Sequence, residues 1–168
     1  MNRIKMLVFV LSLCVSATLF AQEKANDKTP WMDLEHCAFC KNMSSQPGLI
    51  QHVKFDFIKI PNGMITVAFV PDNLKEAMKK ADEGMQATVK EMQSGKQLTT
   101  CAFCDAIGMV MTQGAKVEKF QGESSEVSLF TSADAEVVKS IHAIADRTND
   151  EAQKMKAHHE PKAASPKK

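Results

Sequence analysis

Apolar and polar positions along this chain change rhythm, and the change occurs twice. From Val53 to Ile60, β-branched and aromatic residues alternate with polar ones. Pro61-Asn62-Gly63 marks a turn and Met64 to Val70 follows, so the stretch predicts a β-hairpin. Asp72 can cap a helix whose apolar positions are Leu74, Met78, Ala81, Met85, Val89 and Met92. Spacings of three and four put that stripe on one face, where it reads as core, and Gly95 ends the helix. Further on, Lys116 to Phe120 and Glu126 to Phe130 predict a second hairpin around Gly122 and two serines. Ser132 is the expected cap of a second long helix with Val137 or Val138, Ile141, Ile144 and Ala145 as its stripe. Beyond Thr148 the periodicity fades.

These stretches are copies of one unit. At an offset of 60, Val67 meets Val127, Phe69 meets Leu129, Glu76 meets Glu136, Met78 meets Val138 and Lys79 meets Lys139. Ahead of each hairpin stands the same tetrapeptide, CAFC, at Cys37–Cys40 and again 64 positions later at Cys101–Cys104. Each unit therefore reads short strand, CAFC, helix, strand, strand, helix, with Pro47-Gly48 interrupting the first CAFC helix and Gly108 and Gly114 the second. Two copies are too few for a solenoid. The expected fold class is α+β: two βαββα repeats, 22–94 and 95–153, related by pseudo-twofold symmetry and sharing one core. Residues 154–168, with five lysines and one glutamate, are expected to form a disordered basic tail.

The first 21 residues belong to neither copy. Arg3 and Lys5 precede an apolar run from Met6 to Phe20, and Ala21-Gln22 offers a small residue for cleavage. That is the layout of a secretory signal peptide. The run is short of the ~20 residues of a membrane-spanning helix, so the mature chain is expected to be periplasmic or secreted, with no span. A lipoprotein signal ending at Cys14 is the weaker reading, because Leu13 stands where a small residue is wanted. Residues 22–168 carry 19 Lys and Arg against 20 Asp and Glu, a net charge of −1. Without a basic surplus, nucleic acid is not an expected partner.

Loss of Cys14 leaves four cysteines, all within the two CAFC motifs. An exporting compartment permits disulfides, yet no other cysteine exists to build a long-range framework. A C-x-x-C at a helix start brings two sulfurs close enough to ligate one ion or to close a small disulfide, and the helix N-terminus favours the thiolate that either use requires. Two matched pairs, Cys37, Cys40, Cys101 and Cys104, can complete a tetrahedral S4 site for zinc or another soft ion. Thioredoxin-like enzymes place tryptophan before the motif and Gly-Pro or Pro-His inside it. Here His36 or Thr100 precedes and Ala-Phe lies within. Met43, Met109 and Met111 follow the motifs and would add soft donors for copper(I), although methionine more often fills core gaps.

The Cys-x-x-Cys at a helix start, the hairpin containing ITVAFVPD and the amphipathic helix after it resemble heavy-metal-associated domains, over about 45 residues per copy. That family includes copper chaperones and periplasmic mercury-binding proteins of ferredoxin-like fold. The resemblance implies ferredoxin-like repeats and linear two-thiolate binding of copper(I) or mercury(II) at Cys37/Cys40 and, separately, at Cys101/Cys104. Duplication of the motif favours instead one shared site or two facing ones.

Other residues have plainer readings. His36 adjoins the first cysteine, but Thr100 occupies the matching place in the second copy, so a solvated or hydrogen-bonded histidine serves as well. His142 is expected to be a packed or surface histidine, and His158-His159 an unselective tail pair. Phe39 and Phe103 should anchor the motif loops in the core, and Trp31 should pack on the first short strand. No spaced carboxylate pair, phosphate loop or nucleophile elbow marks catalysis. The sequence thus points to an exported protein that binds zinc, copper(I) or a similar ion through Cys37, Cys40, Cys101 and Cys104, for sequestration, delivery or structural stabilisation. Its expected partners are the ion and another periplasmic protein. The competing reading is a periplasmic thiol–disulfide oxidoreductase.

Overall fold

The computed structural model describes residues 29–159; the expected signal peptide (1–21) and the end of the expected tail lie outside them. The chain runs α1 (Cys40–Ser44), α2 (Leu49–His52), β1 (Lys54–Ile60), β2 (Gly63–Phe69), a 3-10 turn (Asp72–Leu74), α3 (Lys75–Gln93), α4 (Ala102–Thr112), β3 (Lys116–Gln121), β4 (Ser125–Thr131) and α5 (Ala135–His159). It is an α+β fold in which both hairpins join one antiparallel sheet of order β1-β2-β4-β3. The inner strands meet with Val67 opposite Val127, which are partners at the sequence offset of 60. No helix among the described residues is long and apolar enough to cross a membrane.

The hairpins form where the alternation predicts. The turn is tight, with Ile60 opposite Gly63. Gly63 is required there by close approach: a Cβ at this position would stand 1.8 Å from the Phe130 carbonyl oxygen of β4. The short strand expected before each CAFC is absent among the described residues. Those segments serve the motif loops instead. Ala38 N–H donates to the Thr99 carbonyl at 2.8 Å, while Ala102 and Phe103 N–H donate to the Pro30 and Trp31 carbonyls at 3.3 and 2.8 Å. Backbone groups that a sheet would have used thus satisfy the free amides at the start of α4.

Alternation along the strands sends Met64 and Ala68 to the helix-covered face, where two apolar clusters form. One joins Leu49, Val53, Ala68, Val70, Leu74, Met78 and Ala81. The other joins Met64, Val110, Ala115, Val137, Ile141, Ile144 and Ala145, with Trp31, Phe57 and Phe103 against it. The core is therefore two clusters over one shared sheet. Trp31 packs edge-on to Phe103 at 5.8 Å and donates from Nε1 to Thr148 Oγ1 at 3.1 Å, in place of the strand contact expected for it.

The helices hold four corrections. The buried line of α3 is Met78, Ala81 and Thr88, continuing from Leu74 of the 3-10 turn, with Val89 and Met92 exposed, because the late turns face α1 and not the sheet. Asp134, not Ser132, caps α5, its carboxylate accepting from Glu136 and Val137 N–H at 2.8 and 3.3 Å. Ser132 accepts only from Asp134 N–H. The helix α5 continues to His159, past the point where its apolar stripe ends. Gly108 leaves α4 unbroken, whereas Pro47 and the left-handed Gly48, at φ +84°, do separate α1 from α2.

Candidate metal centre

Each CAFC motif straddles a helix start. Before α1, the Asp33 carboxylate accepts from the N–H groups of Glu35 and His36 at 3.0 and 2.8 Å and turns the chain into Cys37. The Cys37 carbonyl then accepts from Lys41 N–H at 3.1 Å. In the second motif Cys101 is itself the N-cap of α4, in an extended conformation, and its carbonyl accepts from Asp105 N–H at 3.0 Å. Both motifs thus set the first cysteine just outside the helix and the second in its first turn, so the two sulfurs project the same way.

The fold brings the two motifs together. All four Sγ atoms lie within 4.8 Å of one another. Cys37 and Cys104 are 3.5 Å apart, Cys40 and Cys101 3.6 Å, and Cys40 and Cys104 3.7 Å. A tetrahedral ion with metal–sulfur bonds of about 2.3 Å holds its sulfurs about 3.8 Å apart. The cluster is therefore nearly at the dimensions of a four-thiolate cage for one metal ion, and the separate two-thiolate sites implied by the heavy-metal resemblance are replaced by one gathered site. Cys37 and Cys101 are buried; Cys40 and Cys104 are half-buried and form the outer rim.

The thiols do not share charge equally. The thiol hydrogen bond between Cys40 and Cys104, with contacts from Cys101 and Cys37, lowers the Cys40 thiol from its ordinary 9.0 to about 6. The same bond and burial push Cys104 well up. Burial also raises Cys101, against the pull of the Cys104 amide facing its sulfur. The Asp33 amide helps hold negative charge on both Cys40 and Cys101. Repulsion from the Cys40 thiolate adds to what holds the protons on Cys101 and Cys104 before a cation arrives.

A supporting shell absent from the sequence reading lies behind the first motif. Asn42 Nδ2 donates to the carbonyls of Ala38 and Phe39 at 3.0 and 3.2 Å and to Thr88 Oγ1 at 3.2 Å. Thr88 in turn donates to the Gly84 carbonyl at 2.9 Å. Gly84 lets α1 and α3 approach, since a Cβ there would meet Asn42 Oδ1 at 2.5 Å. The interior glycine of α3 was the available signal, because glycine in a helix costs about 1 kcal/mol against alanine and calls for a packing reason.

The remaining candidates stand apart from the sulfurs. His36 is exposed and its Nδ1 pairs with the Asp33 carboxylate at 3.1 Å. His142 is a packed histidine as expected, donating from Nε2 to the Ile60 carbonyl at 2.9 Å. Met43 packs on the first apolar cluster, while Met109 and Met111 are exposed on α4. Phe103 anchors its motif between Trp31 and Phe57. Comparisons with protein-family models, with curated proteins and with solved structures find no match for this chain, so the chemistry assigned to the centre rests on its own four sulfurs.

Proposed function

We propose that this is an exported metal-binding protein whose Cys37, Cys40, Cys101 and Cys104 hold one soft or borderline ion, with zinc the best fit and copper(I) the next. The observation that carries the reading is the convergence of four Sγ atoms within 4.8 Å, with three edges of 3.5, 3.6 and 3.7 Å. Zinc has no geometric preference of its own and accepts a closed tetrahedron of thiolates. Copper(I) takes the same soft donors but is satisfied with fewer. All four positions filled by protein leave none open for substrate, which favours sequestration, delivery or structural stabilisation over catalysis.

The two units are read as related by a pseudo-twofold axis through this centre. Val67 opposite Val127 and the Cys40–Cys104 contact are each a residue beside its own repeat partner. The Cys37–Cys104 and Cys40–Cys101 contacts are exchanged by the same operation. Thr88 and Thr148, offset by 60, are both buried, and each donates to the carbonyl four residues earlier.

The oxidoreductase reading has one observation in its favour, the lowered Cys40 thiol. Against it, the first sulfur of each C-x-x-C, which such enzymes expose as nucleophile, is buried here in both motifs. Anaerobic purification from the exported fraction, with bound metal and free thiols counted together, separates the two. One ion per chain and four reactive thiols after chelation are expected. Two disulfides, no metal uptake after reduction and turnover of a thiol substrate would overturn the metal-binding reading.

A further inference from the structure

The thiols of the centre meet across the motifs. All three sulfur–sulfur contacts of hydrogen-bond geometry join one CAFC to the other: Cys37 to Cys104, Cys40 to Cys101 and Cys40 to Cys104. The backbones behind them are held side by side by bonds that involve no sulfur, Ala38 N–H to the Thr99 carbonyl among them. The two shortest contacts each join a buried sulfur to a half-buried one, Cys37 to Cys104 at 3.5 Å and Cys101 to Cys40 at 3.6 Å. Solvent therefore reaches one member of each pair, and its partner waits behind it.

We propose that the centre has a second chemical state, in which a peroxide converts these sulfurs to two inter-motif disulfides, Cys37–Cys104 and Cys40–Cys101, and the ion is expelled. Only the expulsion rests on the metal-binding reading; the disulfide pairing rests on the thiol geometry. In each pair the outer sulfur, Cys104 or Cys40, reacts as a thiolate, its proton already displaced by the ion or, in the metal-free protein, given up to solvent. It attacks the peroxide O–O bond, keeps one oxygen as a sulfenic acid and releases hydroxide. The inner thiolate then attacks the sulfenic sulfur, the S–S bond forms and a second hydroxide leaves. Two electrons pass from each sulfur pair to one peroxide, so two peroxides consume four thiolates and leave the ion no charged ligand. Closing each bond shortens its contact by about 1.5 Å, to the ordinary disulfide length.

This pairing has a mechanical consequence that local rings lack. Inter-motif bonds join residues 67 and 61 positions apart and tie α1 to α4. A C-x-x-C ring closes only a few residues and barely restricts the unfolded chain. The oxidised protein should therefore resist denaturant better than the reduced, metal-free protein.

The test uses the full-length chain, zinc-loaded and metal-free in parallel, treated with hydrogen peroxide. Released zinc is followed with a chromogenic chelator, and the bonds are mapped by mass spectrometry of an unreduced digest. The expected result is zinc release, the two CAFC peptides joined through Cys37–Cys104 and Cys40–Cys101, and a higher urea midpoint for the oxidised protein than for the reduced apo-protein. Local Cys37–Cys40 and Cys101–Cys104 rings in most oxidised chains, or sulfinic acids without disulfides, would overturn the proposal. Failure to load zinc at all would count against the metal-binding reading, while the map of the metal-free protein would still decide the pairing.

Discussion

Asn42 and Thr88 hold the first motif from behind, and neither offers a donor that a soft metal ion prefers. By tying the carbonyls of Ala38 and Phe39, Asn42 fixes the turn that aims Cys37 and Cys40 inward. Asn42→Ala should cost about 1–2 kcal/mol in urea unfolding and about tenfold or more in zinc affinity by competition titration. An unchanged affinity would remove Asn42 from the supporting shell. The thiols make a second prediction at the same site. Cys40, lowered to about 6, carries its charge at neutral pH, whereas the raised Cys101 and Cys104 keep their protons until a cation displaces them. Zinc uptake at pH 7 should therefore release at least the two protons of Cys101 and Cys104. Below about pH 6 Cys40 must give up a proton too, so apparent affinity should fall more steeply there as acidity increases. Chelator competition across pH 5 to 8, with proton release in weak buffer, checks both. The four candidate ligands were legible from cysteine count and spacing alone. Asn42 was not, because its role depends on which helix α1 meets.

Three glycines show how the same residue type serves the elements differently. Gly84 admits α1 to α3, Gly63 admits β4 to the first hairpin, and Gly108 has nothing within 4 Å of a Cβ. Gly84→Ala should lose about 1 kcal/mol overall, since crowding Asn42 outweighs the gain in helix propensity. Gly108→Ala should gain about 1 kcal/mol, because it meets no neighbour and stiffens α4. Gly63→Ala should cost about 3 kcal/mol or more, the β4 backbone being unable to give way. Urea midpoints of the three variants test the set, and a stabilised Gly84→Ala would refute the close approach of α1 and α3. The four hairpin strands and the stripe of α5 followed from alternation and periodicity, which are local. The α3 stripe was misread from Thr88 onward for a plain reason. Periodicity shows which residues share a face of a helix, but a face directed at a polar anchor such as Asn42 need not be apolar.

Across the molecule, each long helix reaches the hairpin in the other half of the chain. Asp146 of α5 pairs with Lys59 of β1 at 2.7 Å, and Asp82 of α3 pairs with Lys119 of β3 at 3.3 Å, Lys59 and Lys119 being partners at the offset of 60. Asn149 of α5 adds a bond from Nδ2 to the Phe57 carbonyl at 3.0 Å. These surface ion pairs contribute little on their own; the crossing matters because β1 and β2 lose their cover without α5. Residues 22–94 expressed alone should therefore lack a cooperative unfolding transition and bind zinc far more weakly than the full chain. Addition of residues 95–168 should restore helical circular dichroism and binding together, and a stable, metal-competent first half would contradict the shared design. The hairpins and the four candidate ligands could be read from the amino-acid order because they rest on spacing and local alternation. That the hairpins fuse into one sheet, that the segments before CAFC forgo strands, and that all four sulfurs meet at one point are long-range outcomes. They depend on which backbones and helix faces find each other across about 60 residues, and local pattern carries no record of that choice.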